Sequence, residues 1–176
     1  IVCSGLSISI SGTKVISFAF TSFGPLTSSI IFLGELNSSN KKILDFGCGE
    51  KRLETMLNKK IYNYDINPSY NEVDNLTSIN FDIVVMNHVL MYLSRNQIEI
   101  LFTKFISKNP NCEFLIGIGK QNYVSLIAKS ITLNFKAHQG TISSYNEQLD
   151  AINNSMNIIK SKKNIFFMTD LFLCKF

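Results

Sequence analysis

The sequence predicts an α/β protein, a doubly wound and mostly parallel sheet with helices on both faces. Two observations carry this. Short apolar runs, KKILDFG, IYNYD, FDIVVMN and EFLIGIG, are separated by polar connections and by segments of helical periodicity between residues 41 and 119, and strands that alternate with helices pair in parallel. The final apolar run, NIFFMTDLFLCKF, follows a helical segment. It is expected to run antiparallel to the others, at or near the sheet edge.

The elements can be justified in order. Ile1–Phe23 alternates loosely through Ser-Ile-Ser-Ile-Ser, a period-two pattern that suits a short strand or a lead-in, and no function is placed there. Pro25 to Leu36 reads as a helix with proline in its first turn and Leu26, Ile30, Ile31 and Leu33 along one side. KKILDFGCGE is a strand ending in an acid and a glycine turn, and Leu53, Met56 and Leu57 mark the helix that follows. IYNYD is a second strand, INPSYNEVDNLTSIN a loop, FDIVVMN a third strand, and HVLMYLS leads into a short helix. Asn96 to Ser107 continues as a helix through Ile98, Leu101, Phe102 and Phe105, before the strand EFLIGIG. Beyond it, Tyr123–Ile131 reads as a helix, Thr132–Ser144 as a loop and Tyr145–Ile159 as an amphipathic helix.

The 176 residues, 45% of them hydrophobic, suffice for one buried core. Residues 1–40 read as a lead-in and helix, and 41–176 as the domain that carries the site. Seventeen basic residues against thirteen acidic ones, spread along the chain, give no clear nucleic-acid signal. Cys3, Cys48, Cys112 and Cys174 form no CxxC pair, so neither a metal site nor a disulfide framework is expected, and a reducing, cytoplasmic setting fits. The uncharged stretch Val15–Gly34 is long enough to cross a bilayer, but it contains Gly24-Pro25 and six Ser/Thr residues, and no basic cluster flanks it. Membrane association is therefore only weakly supported, and nothing in the sequence specifies an oligomeric state.

The chemistry concentrates after the first core strand. A nucleotide-type ligand on a βαβ unit needs a glycine turn for close backbone approach, and an acid at the tip of the next strand to accept from ribose hydroxyls. Gly47 and Gly49 supply the turn, and Asp65 lies 16 residues past Gly49. A dinucleotide would want a third glycine at the helix start to seat its pyrophosphate, where this chain has Arg52. Asp45, two residues before Gly47, suits instead a cofactor with a cationic amino group and no phosphate. That balance favours S-adenosylmethionine.

The segments ILDFGCGEKRLE, YNYDINP and FDIVVMNHVLMYLS resemble the class I S-adenosylmethionine-dependent methyltransferases, over roughly Lys41 to Gly119. The resemblance implies a Rossmann-like fold, S-adenosyl-L-methionine as cofactor and a small-molecule acceptor. It implies that Asp45, Gly47 and Gly49, with Cys48 between them, line the methionine portion. Asp65 would then hold the ribose hydroxyls, Ile66 would pack on the adenine, and Asn87 would border the methionine end. Two departures stand out. Lys51 sits where many members have a third glycine, and Phe81 comes only sixteen positions after Asp65, where the family fits a helix and a full strand. The sheet is expected to be contracted there, with Asp74 standing in for the acid at the adenine amino group.

If the acceptor must lose a proton, His88 and His138 are the candidate bases, since imidazole titrates near neutrality. Packing or capping is an equal reading for His88, and plain surface for His138. Cys48 reads as a small packing residue rather than a nucleophile, and Phe166, Phe167, Phe172 and Phe176 as core. The segment Lys120–Ser144 leaves the carboxyl end of a parallel strand and is expected to form much of the acceptor pocket. The competing functions are an NAD-dependent oxidoreductase and a non-catalytic cofactor- or partner-binding module.

Overall fold

A computed structural model describes residues 25–36, 38–73, 75–76, 79–120, 140–163 and 169–176. Within them the order is α1 (Pro25–Glu35), β1 (Ile43–Phe46), α2 (Arg52–Leu57), β2 (Tyr62–Tyr64), β3 (Ile83–Asn87), α3 (Arg95–Lys108), β4 (Glu113–Gly119), α4 (Tyr145–Ser155), β5 (Asn157–Lys162) and β6 (Thr169–Lys175). The strands form one six-stranded sheet ordered β2-β1-β3-β4-β6-β5. The first four pair in parallel, and β6 and β5 run antiparallel to their neighbours. The sequence expectation of a mostly parallel α/β sheet with an antiparallel C-terminal strand holds. Among the described residues, no helix is long and apolar enough to cross a membrane.

The burial of the strands explains their composition. Ile83 to Met86 of β3 and Phe114 to Ile118 of β4 are buried throughout, as expected where helices cover both faces of a parallel sheet. On one face, Phe32 and Leu33 of α1 and Leu53 of α2 pack with Ile43, Ile83, Val85 and Leu115. On the other, Ile98, Phe102 and Phe105 of α3, spaced four and three apart on a single helical stripe, pack with Leu44, Val84, Phe114, Ala151 and Ile152. Phe114 sits edge-on to both Phe102 and Phe105, with ring centroids 6.0 and 5.8 Å away. Both α3 and α4 begin with a reciprocal capping box, Ser94 with Gln97 and Ser144 with Glu147, which satisfies amides that the helix itself cannot.

The predicted contraction is visible at β2. Among the described residues this three-residue strand is the sheet edge, and its outer side is closed by loop backbone rather than by another strand. The Glu72 amide donates to Asn63 O at 2.9 Å, and the Asp65 amide donates to Asn71 Oδ1 at 2.6 Å. The Glu72 carboxylate then accepts from Lys51 at 2.7 Å, Lys60 at 2.9 Å and Asn63 Nδ2 at 3.1 Å, while Val73 is buried in the core. Those donors, Lys51 foremost, hold the Glu72 carboxyl down to about 2 against the opposing effect of burial. A short clamped loop thus does the work of an edge strand, blocking the unpaired groups that would otherwise recruit another chain.

The C-terminal third differs from expectation in one element. The helix from Tyr145 ends at Ser155 rather than Ile159, because Met156 is fully extended (φ −149°, ψ 160°) and turns the chain into β5. Strand β5 is the outer edge, largely exposed, and is irregular between Ile158 and Lys160. The expected helix Tyr123–Ile131 lies outside the described residues, as do the lead-in Ile1–Phe23, most of the loop before Ser144 and Phe166 and Phe167.

Replacing Glu72 by Gln should cost about 1–2 kcal/mol at pH 7, lowering the melting midpoint by roughly 3–6 °C in a thermal unfolding scan. The folded pKa of Glu72 lies below its ordinary value of 4.5, so its stabilisation is present above that value and lost as pH falls. The gap between wild type and Glu72→Gln should close between pH 4.5 and 2. An equal midpoint at pH 7 would mean that the loop holds the edge without the carboxylate.

Candidate functional site

The parallel strands all end on one side of the sheet, and the loop leaving β1 is shaped by left-handed backbone. Gly47 has φ 80°, Gly49 φ 49° and Lys51 φ 57°, a region that favours glycine. At Gly47 the need is also steric: a Cβ there would lie 2.6 Å from Val89 Cγ2, whereas one on Gly49 would meet nothing within 4 Å. The loop therefore packs against the chain leaving β3 at Gly47 and lies open at Gly49. The amides of Gly47 and Cys48 both donate to Tyr64 O, at 2.8 and 3.2 Å.

Asp65 fixes the rest of this loop. Its Oδ2 accepts from the Gly49 amide and its Oδ1 from the Asn67 amide, both at 2.9 Å. Each carboxylate oxygen retains a further lone pair for a ligand. Ile66 beside it is 95% exposed and belongs to neither core cluster. Asp45 is only 4% exposed, and burial, aided by the negative charge of Asp65, pushes its carboxyl up to about 7. A buried acid next to another acid is a place for a cation.

Cys48 turns inward. Its thiol faces Gly49 O and Tyr70 O at 3.7 and 3.8 Å, and burial, followed by the charges of Asp45 and Asp65, raises its pKa to about 11. That is the opposite of an activated thiolate, so Cys48 contributes backbone and packing only. Helix α2 is six residues long and begins at a left-handed Lys51 without a side-chain cap. With two carboxylates beside the loop and so short a helix behind it, the site is poorly made for a pyrophosphate.

Asn87 is the last residue of β3, and its Oδ1 is buried without a hydrogen-bond partner. It crowds Gly117, where a Cβ would come within 2.2 Å of that oxygen. His88 follows in left-handed backbone at φ 58°, uncommon for a residue with a side chain. Its amide donates to Gly117 O at 2.9 Å, its Nε2 lies 2.7 Å from Thr169 Oγ1, and a Cβ on Gly119 would come within 3.1 Å of its ring, a tight contact. The structure thus brings Asp45, Gly47, Cys48, Gly49 and Asp65 to one loop, with Asn87 and His88 at the end of the neighbouring strand. Asp74 and His138 lie outside the described residues.

Sequence reasoning passed over one group at the same end of the sheet. Asp170, entirely buried, accepts from Lys120 Nζ and from the Tyr145 hydroxyl, each at 2.7 Å to its Oδ2. Lys120 opens the segment expected from the sequence to form much of the acceptor pocket, and the signal for Asp170 was an acid interrupting the apolar run NIFFMTDLFLCKF.

No family model matches the chain, and no curated protein does. Solved structures match its fold. Magnesium protoporphyrin IX methyltransferase from Synechocystis PCC 6803 with bound S-adenosylhomocysteine aligns over 86% of this chain and 82% of its own, with TM-score 0.58 and 13% identity. The mitomycin 7-O-methyltransferase aligns over 85% and 54%, with TM-score 0.58 and 12% identity. The 16S rRNA methylase ArmA aligns over 86% and 83%, with TM-score 0.55 and 17% identity. The chain has the class I S-adenosylmethionine-dependent methyltransferase fold.

The Asp45 environment predicts a pH signature in the ligand-free protein. Because its folded pKa is raised from 3.8 to about 7, its contribution to stability is greatest below pH 3.8 and is lost as pH rises to about 7. Chemical denaturation should therefore show wild type losing stability relative to Asp45→Asn between pH 4 and 7, by more than 1 kcal/mol, with a constant difference above that. A flat difference across the range would place Asp45 in contact with water.

Proposed function

We propose that the protein is an S-adenosylmethionine-dependent methyltransferase. The observation that carries this is the pair of acids flanking the glycine loop: a buried Asp45 whose carboxylate has no hydrogen-bond partner among the described residues, and Asp65 at the tip of β2 with lone pairs to spare. The first suits an ammonium and the second a pair of ribose hydroxyls. Several proteins of the same fold, one with bound S-adenosylhomocysteine, act as methyltransferases by name, which supports the reading at the level of fold.

The residues fit the cofactor as follows. Asp45 faces its amino group, and the open side of Gly49 lets backbone approach it. Asp65 accepts from the ribose, and Ile66 offers an apolar surface to the adenine. Asn87, with its unpartnered oxygen, borders the methionine end. When bound, the cofactor supplies a methyl group already activated by a sulfonium. The protein has mainly to align the acceptor in line with it and exclude water. His88, pinned by Thr169 and by its own strained backbone, bounds the acceptor side of the cofactor and stands as a candidate base, alongside His138. We further read the acceptor as a small molecule and the setting as cytoplasmic.

Titration calorimetry tests this reading. S-adenosylhomocysteine should bind saturably and NAD should not, and Asp65→Ala should weaken binding at least tenfold, the worth of a lost charge-assisted hydrogen bond of about 1.5–3 kcal/mol. At pH 6, repeating the titration in buffers of different ionisation enthalpy should reveal net proton release that Asp45→Asn abolishes, since an ammonium beside Asp45 favours its ionised form. NAD binding without heat from S-adenosylhomocysteine would contradict the assignment.

A further inference from the structure

The group around Asp170 lies at the start of β6, where Asp170 pairs with Ile118 and Thr169 with Gly119 at the carboxyl end of β4. Strands β1 and β6 are three spacings apart in the sheet, about 14 Å, so this group lies along the same end of the sheet as the cofactor loop, with His88 at the end of the intervening strand β3. Asp170 Oδ2 carries both the Lys120 ammonium and the Tyr145 hydroxyl, and Asp170 Oδ1 is buried with no hydrogen-bond partner. A buried carboxylate oxygen without a donor is costly, and here it sits where open α/β sheets hold their ligands. Lys120 is partly exposed, with a side-chain accessibility of 31%, and lies 5.9 Å from the Tyr145 ring centre.

We propose that Asp170, Lys120 and Tyr145 form the acceptor subsite of the enzyme and that it takes a phenolic hydroxyl, an inference that rests on the methyltransferase reading above. The missing partner of Oδ1 must bring a hydrogen-bond donor. A carboxylate brings none and meets a like charge. A protonated amine brings one but faces the Lys120 ammonium already seated on Oδ2. A phenol brings a neutral donor whose pKa, about 10, is within reach of a carboxylate base when the oxygen left behind is stabilised by a nearby ammonium. Lys120 has two further N–H groups for that oxygen.

The step balances. The phenolic oxygen bonds to the methyl carbon as the carbon–sulfur bond breaks and its electron pair stays on sulfur. The phenolic proton passes to Asp170 Oδ1 and then to solvent. In this subsite Asp170, rather than His88 or His138, is the catalytic base, Lys120 is the oxyanion partner, and Tyr145 holds Oδ2 so that Oδ1 is left for the acceptor. Burial, together with the bond to Asp170, raises the pKa of the Tyr145 phenol, so it remains a donor.

Calorimetry on the full chain, first saturated with S-adenosylhomocysteine, tests this with three probes of one shape: 2-naphthol, 2-naphthoate and 2-naphthylmethylamine. The expected result is saturable 2-naphthol binding at least tenfold tighter than either of the others. Asp170→Asn and Lys120→Met should each weaken it at least tenfold, with S-adenosylhomocysteine affinity within twofold of wild type. If Asp170→Asn fails to fold, as judged by circular dichroism, Lys120→Met decides. Absent 2-naphthol binding, equal binding of the amine, or variants that bind 2-naphthol like wild type would overturn the subsite. Failure of S-adenosylhomocysteine itself to bind would overturn the methyltransferase reading, and this one with it.

Discussion

The carboxylate of Asp65 ties the glycine loop to the tip of β2. By accepting from the amides of Gly49 and Asn67 at once, it sets the distance between the loop that leaves one strand and the chain that leaves the next. Without it, the left-handed residues Gly47, Gly49 and Lys51 would have little to hold their conformation, because α2 is short and starts without a side-chain cap. The loop's other anchor is Tyr64 O, at the end of the same strand. The site is thus built from backbone geometry that two strands enforce on each other, and its charge is a consequence. Asp65 is partly exposed and stays bonded, whereas Asp45 is buried beside it and bears the cost.

That arrangement places a demand on β2, which is both the strand that carries Asp65 and the edge of the sheet. A three-residue edge strand is a weak support. The loop 71–73 compensates, with the Glu72 amide on Asn63 O, the Glu72 carboxylate gathering Lys51, Lys60 and Asn63, and Val73 plugged into the core. Lys51 belongs to the glycine loop itself, so the same carboxylate that closes the edge also steadies the far end of the site. The missing strand is replaced by a clamp that costs few residues and leaves the tip of β2 in place.

Much of this was legible in the sequence because buried parallel strands announce themselves. IVVM and FLIGI are runs without a charge, and ILDF is broken only by Asp45 and ends at the Gly47 turn. The glycines around Cys48 and the acid at the end of YNYD marked the loop and its partner without any structure. What stayed hidden depends on contacts distant in the chain. The helix from Tyr145 reads past its true end, since NNSMNIIK keeps a helical pattern and only pairing with β6 draws Asn157 onward into a strand. The Asp170 group joins residues 25 and 50 positions apart, and nothing local relates Lys120 to Tyr145. The role of Glu72 was hidden for the same reason, its partners being brought together only by the contracted edge.

On the proposed reading, the glycine loop and its two acids hold a cationic, phosphate-free cofactor. The most direct measurement is a crystal structure of the full chain grown with S-adenosylhomocysteine. The account predicts the ligand's ammonium beside Asp45 and its ribose hydroxyls on Asp65, with the sulfur directed toward Asn87 at the end of β3. A ligand bound elsewhere, or one whose ribose leaves Asp65 bonded only to Gly49 and Asn67, would contradict it.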